Sequence, residues 1–228
     1  MKVFLPNDEI DEQVKKLIRS FRKQMDGDVS EQMEKRGVSY RLNFGINLVS
    51  LRERAKTLPQ NIEFADRLWH RQIRETMILA TLSAPKKQMT QEMAIEWSKL
   101  IDNCELVEQA ALNLFSKLEV ASTLVEKWII SENPYLRSLA YYTLGWMFRF
   151  NDVPEELKNI SLKKASEETG ENNVFCLYRG ISHFVKQMMR INPETKKECN
   201  DLIKIYETKQ NKNLSWVTSE LNNEIEFL

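Results

Sequence analysis

Two groups of side chains in this chain are spaced so that they could do chemistry together: a row of cations and a pair of carboxylates. In segment 172–190, Arg179, His183, Lys186 and Arg190 stand at i, i+4, i+7 and i+11, which places them on one face of a helix. No Asp or Glu interrupts the segment, and its other face carries Val174, Leu177, Tyr178, Ile181, Phe184, Val185 and Met188. Such a row suits a phosphate backbone, although a solvated helix face that happens to lack acids would read the same way. The carboxylates are Glu105 and Glu108, just after Asp102-Asn103. On a helical wheel Glu108 borders the apolar stripe on the side of Cys104, whereas Glu105 points farther out. A carboxylate at the margin of packed surface is partly desolvated, and its charge can stabilise a cation developing nearby. The plainer alternative is an acid that complements the positive end of its own helix.

Other chemistries find no support. His70 and His183 share no ligand spacing with Cys104, Cys176 and Cys199, so neither a metal nor a cofactor is expected. Six glycines form no phosphate-binding loop and no nucleophile elbow, which argues against nucleotide hydrolysis and dehydrogenase chemistry. The 33 basic residues balance 33 acidic ones, so any nucleic-acid surface must be local. The N-terminal apolar run is too short for a secretory signal, and charges break every helix before it reaches the roughly 20 apolar residues of a membrane span. Three widely separated cysteines fit a reducing compartment. A soluble, cytoplasmic protein is expected.

The elements that must position these residues are helices. Gly and Pro are sparse, and Pro59, Pro85, Pro134, Pro154 and Pro193 stand where helices should begin. The 3.6-residue period between them predicts helices near 8–25, 47–57, 61–69, 71–83, 91–101, 103–117, 119–130, 134–150, 154–168, 172–190, 193–209 and 213–226. Trp69, Trp97, Trp128, Trp146 and Trp216 fit apolar helical positions and read as core. Helix 134–150 has two apolar faces, Leu136, Leu139, Ala140, Thr143, Trp146, Met147 and Phe150 on one and Tyr141, Leu144 and Phe148 on the other, so it needs neighbours on both sides. The expected architecture is all-α: one continuous domain over 1–228, an α-solenoid or superhelix of stacked antiparallel helix pairs.

Several segments, in order, resemble the AlkD-like DNA alkylation repair family of HEAT-like repeat DNA glycosylases. They are FGINLVSLRERAK at 44–56, LWHRQIRETMILATL at 68–82, EWSKLIDNCELVEQAA at 96–111, SENPYLRSLAYYTLGWMFR at 131–149 and LYRGISHFVKQMMR at 177–190. The resemblance implies a solenoid that holds duplex DNA in a basic groove and hydrolyses the N-glycosidic bond of cationic alkylated purines. It also implies roles: Glu108 as the catalytic carboxylate, Arg137 as the groove arginine, and Cys104 and His183 in the places of two aromatic residues. Cys104 and Glu105 then line the groove, with Arg137, Arg179, His183, Lys186 and Arg190 on the DNA. Glu108 keeps the family's charge on a longer arm. Cys104 removes an aromatic wall, and His183 supplies a smaller ring that would repel a cationic base if protonated.

Three readings follow. The chain is a glycosylase acting on alkylated double-stranded DNA, a solenoid that binds DNA structure without cutting a bond, or a scaffold that binds other proteins on a concave surface. In the first two, DNA is the partner of a monomer, with no membrane, metal or cofactor.

Overall fold

The computed structural model describes residues 4–150, 153–172 and 174–227. Among these residues there are thirteen α-helices and two short 3-10 turns, and the only β pairing is an isolated bridge between Leu42 and Ile73. No helix among them is long and apolar enough to cross a membrane. Backbone contacts group the chain into two compact units, Met1–Leu114 and Phe115–Leu228.

The first unit holds α1 (Asp8–Phe21), α2 (Gly27–Lys35), α3 (Leu48–Ala55), α4 (Ile62–His70), α5 (Arg74–Ser83), α6 (Gln91–Ser98) and α7 (Cys104–Asn113). Most begin on a side chain that accepts a backbone N–H left without a partner in the first turn: Asn7, Asp26, Asn47, Asn61, Thr90 and Asn103. At the centre lies α5, buried along nearly its whole length, with α3, α4 and α7 packed against it. Trp69 of α4 and Trp97 of α6 stack with ring centroids 4.7 Å apart and planes 6° from parallel, and Trp97 donates its indole N–H to Asp66 at 2.9 Å.

The second unit holds α8 (Ala121–Ile129), α9 (Pro134–Phe150), α10 (Glu155–Glu167), α11 (Cys176–Met189), α12 (Pro193–Thr208) and α13 (Lys212–Phe227). As its two apolar faces require, α9 packs on both α8 and α11. Leu136, Trp146 and Phe148 are half-buried and Phe150 is exposed, so those faces are fully covered only along the middle of the helix. The apolar face of α11 lies in the core, with Leu177, Tyr178, Ile181, Phe184, Val185 and Met188 all inaccessible to solvent.

Several boundaries differ from those expected. Helix α2 escaped the pattern because it has no apolar face to read, and none of its residues is buried. The helix expected over 103–117 breaks at Leu114 and resumes as a 3-10 turn, Phe115–Lys117. Expected helices 8–25 and 172–190 are shorter, ending at Phe21 and starting at Cys176. Pro134 and Pro193 are first helical residues, Pro193 behind an Asn192/Thr195 capping box. Pro85 and Pro154 precede helical turns, and Pro59 stands in the loop before Asn61 caps α4.

Candidate nucleic-acid interface

The two carboxylates of α7 have different surroundings. Glu105, expected to point outward, is turned into a buried ionic network. Arg74, whose side chain is 4% exposed, donates from Nε to Glu105 Oε2 at 2.8 Å and from Nη2 to Oε1 at 2.7 Å. Tyr40 donates its hydroxyl to the same carboxylate at 2.9 Å. Burial first, and then the Glu105 charge, hold the Tyr40 phenol protonated well above its ordinary range. The third nitrogen of Arg74 donates to Ile46 O at 2.7 Å and to Glu75 Oε1 at 3.0 Å, and Glu75 also accepts from the backbone N–H groups of Phe44 and Ile46. Glu105 thus fastens the 40–46 segment to α5 and α7. Glu108, one turn farther along, is half-buried, as is Cys104.

Arg137, Lys186 and Arg190, three of the cations expected on DNA, are already engaged. Arg137 donates from Nε to Glu168 at 3.0 Å and from Nη1 to the carbonyls of Ser131 and Glu132 at 2.9 and 3.1 Å, tying the start of α9 to the end of α10. The row on α11 is free of acids within its own segment, but α13 supplies them. Lys186 Nζ lies 2.6 Å from Glu220 Oε2, and Arg190 Nε donates to Glu224 Oε1 at 2.9 Å. Glu220 and Glu224 share the four-residue spacing of Lys186 and Arg190, so the two pairs match once α11 and α13 lie side by side. Arg179, nearer the start of α11, is exposed.

His183 is placed by packing. It stacks on Tyr142, centroids 5.1 Å apart and planes 24° from parallel, and leans on Trp146 at 4.8 Å. Gly145 makes the room: a Cβ there would lie 2.5 Å from His183 Cδ2. Burial first, then the charges of Arg149, Lys186 and Arg190, bring the imidazole down to about 4, so its ring is neutral at physiological pH and does not repel a cation.

In the unfolded chain this histidine titrates near 6.5. The unfolded state therefore binds the extra proton first, and the stabilisation from keeping His183 neutral is complete above that pH and lost as pH falls towards 4. His70 and His183 are the chain's two histidines, so an NMR titration should resolve both. His70, held up chiefly by its hydrogen bond to Asp66, should titrate above 6.5, and His183 near 4. A His183 midpoint near 6.5 would mean that its ring is solvated.

Among the described residues no three His, Cys, Asp or Glu side chains gather as a metal site. None of the three cysteines forms a disulfide, Cys176 and Cys199 are buried, and burial pushes Cys199 up to about 12.

The family model described as DNA alkylation repair enzyme matches residues 14–170, well over half of the chain. The protein belongs to that family. The match contains α7 with both carboxylates and α9 with Arg137, and it ends before α11. A solved structure is similar over 92% of this chain and 94% of its own, with a TM-score of 0.74 at 14% identity. It is described as representing a new family of proteins related to the HEAT-like repeat DNA glycosylases with affinity for branched DNA structures. At that identity the likeness carries the fold: this DNA alkylation repair family member is an all-α, HEAT-like repeat protein. No curated protein matches the sequence.

Proposed function

We propose that the protein is a DNA glycosylase that binds duplex DNA and hydrolyses the N-glycosidic bond of cationic alkylated purines, with Glu108 as the stabilising carboxylate. The observation that carries this reading is the position of Glu108, half-buried on α7 within the residues that match the DNA alkylation repair family. Glu105, one turn before it, serves the Arg74–Tyr40 network instead. Alkylation of a ring nitrogen gives the purine a positive charge and makes it a good leaving group. As its bond to C1′ breaks, the electron pair leaves with the base and the sugar becomes oxocarbenium-like. A fixed carboxylate stabilises that charge until water adds. In this reading the whole chain, residues 1–228, acts as one cytoplasmic, monomeric domain, with Arg137, Arg179, His183, Lys186 and Arg190 towards the DNA and Cys104 beside the reacting base.

Single-turnover release of N7-methylguanine from a methylated duplex tests it. Glu108→Gln is expected to lower the rate about a hundredfold with DNA affinity retained. Wild-type release no faster than the spontaneous rate would reject catalysis.

A second reading, binding of DNA structure without base release, draws on one observation. Glu168, Glu220 and Glu224 already neutralise Arg137, Lys186 and Arg190, so phosphates must compete for cations that a preformed duplex clamp would leave open. Salt-dependent DNA binding without base release would establish it.

A further inference from the structure

The last turn of α9 carries Trp146-Met147-Phe148-Arg149-Phe150, an apolar ending for a helix that runs out at the surface. Phe150 is 54% exposed and stacks on Trp146 with planes 8° from parallel and centroids 5.8 Å apart. Trp146 leans on His183 and His183 stacks on Tyr142, so four rings form a ladder from a buried end at Tyr142 to an exposed end at Phe150. The Arg149 guanidinium lies 5.7 Å from the Trp146 centroid and 5.9 Å from that of Phe150. Beside Phe150 opens a concavity of about 600 Å³, floored by Met147, Leu118 and Ala121 and edged by Lys117, Glu119 and Ser122.

We propose that this end of α9 is a stacking site for an unpaired nucleobase of DNA, with Phe150 as the platform and Arg149 towards the phosphate that flanks it. The occupant must be flat, because the ladder offers it a ring face. It must be anionic beside that face, because the Arg149 guanidinium stands next to the platform. A nucleotide meets both conditions, and an exposed aromatic ring next to an arginine is how proteins hold unstacked bases without reading their sequence. The concavity falls in the range of about 300–1,000 Å³ usual for small-molecule sites. A base in a paired duplex keeps both faces stacked on its neighbours and cannot use the platform, so the site distinguishes unpaired from paired DNA. Glu119, at the edge, can accept a hydrogen bond from the exocyclic amine of adenine, cytosine or guanine. The inference rests on the DNA-binding part of the proposed function and is independent of Glu108.

Fluorescence anisotropy with two duplexes of one sequence, fully paired or carrying a single unpaired adenine, tests the site. Wild type is expected to prefer the unpaired duplex. Phe150→Ala should weaken that binding about tenfold and leave the paired duplex unchanged, and Phe150→Trp should keep the preference. Phe150→Leu retains apolar bulk without a ring face and serves if the alanine variant fails to fold. Equal binding of the two duplexes by wild type, or an equal effect of the substitution on both, overturns the stacking site and leaves DNA binding standing. A wild type that binds neither duplex overturns both.

Discussion

Arg74→Ala is expected to lower the stability of the protein by about 3–5 kcal/mol, read as a lower midpoint in urea. The guanidinium makes two bonds to Glu105, one to Glu75 and one to Ile46 O, and almost none of it reaches solvent. Its removal leaves Glu75 wholly buried beside Glu105, two carboxylates with their cation gone. Burying an unpaired charge costs more than the pair contributed when intact. Glu105→Gln removes one charge and keeps an acceptor for Tyr40 and Arg74, so it should cost less. Equal effects from the two substitutions would mean that the network acts by shape alone.

Gly45→Ala is expected to cost about 3 kcal/mol. Gly45 has φ +72°, where a side chain is disfavoured by about 1–2 kcal/mol, and an added Cβ would stand 2.0 Å from Asp26 O. The obstruction is backbone, since Asp26 caps α2 and its N–H donates to Phe44 O at 2.8 Å, so the loop and the helix start must part. Gly37→Ala is the control. Gly37 has φ +79° but nothing within 4 Å of the added carbon, so it should show the backbone cost alone. If the two variants lose equal stability, the 44–46 segment yields without cost and the close approach carries no energy.

The legibility of the sequence followed burial. Helices with a continuous apolar face left a record of it: α9 could be read to both ends and α11 to its last turn, because periodicity records which side chains meet the core. Helix α2 meets no core and left no such record; only its cap at Asp26 marks it. The site residues were legible as types and spacings, and their partners were not. A wheel placed Glu105 outward because it knows only its own helix, whereas Arg74 reaches it from thirty-one positions away. The same limit hid Glu220 and Glu224, and with them the neutralisation of a row that looks uninterrupted on α11. His183 was found as a residue, but its neutral state depends on the space left by Gly145 and on rings from α9, which no local pattern contains.

The stacked indoles of Trp69 and Trp97 carry a consequence of another kind. At 4.7 Å and nearly parallel, two identical chromophores share their excitation, and a chiral, rigid setting gives the pair a circular-dichroism band that neither ring has alone. Both belong to the first unit, while Trp128, Trp146 and Trp216 belong to the second. The Met1–Leu114 half therefore carries an optical signature of its own, so circular dichroism of the unmodified chain can follow the melting of that half by itself.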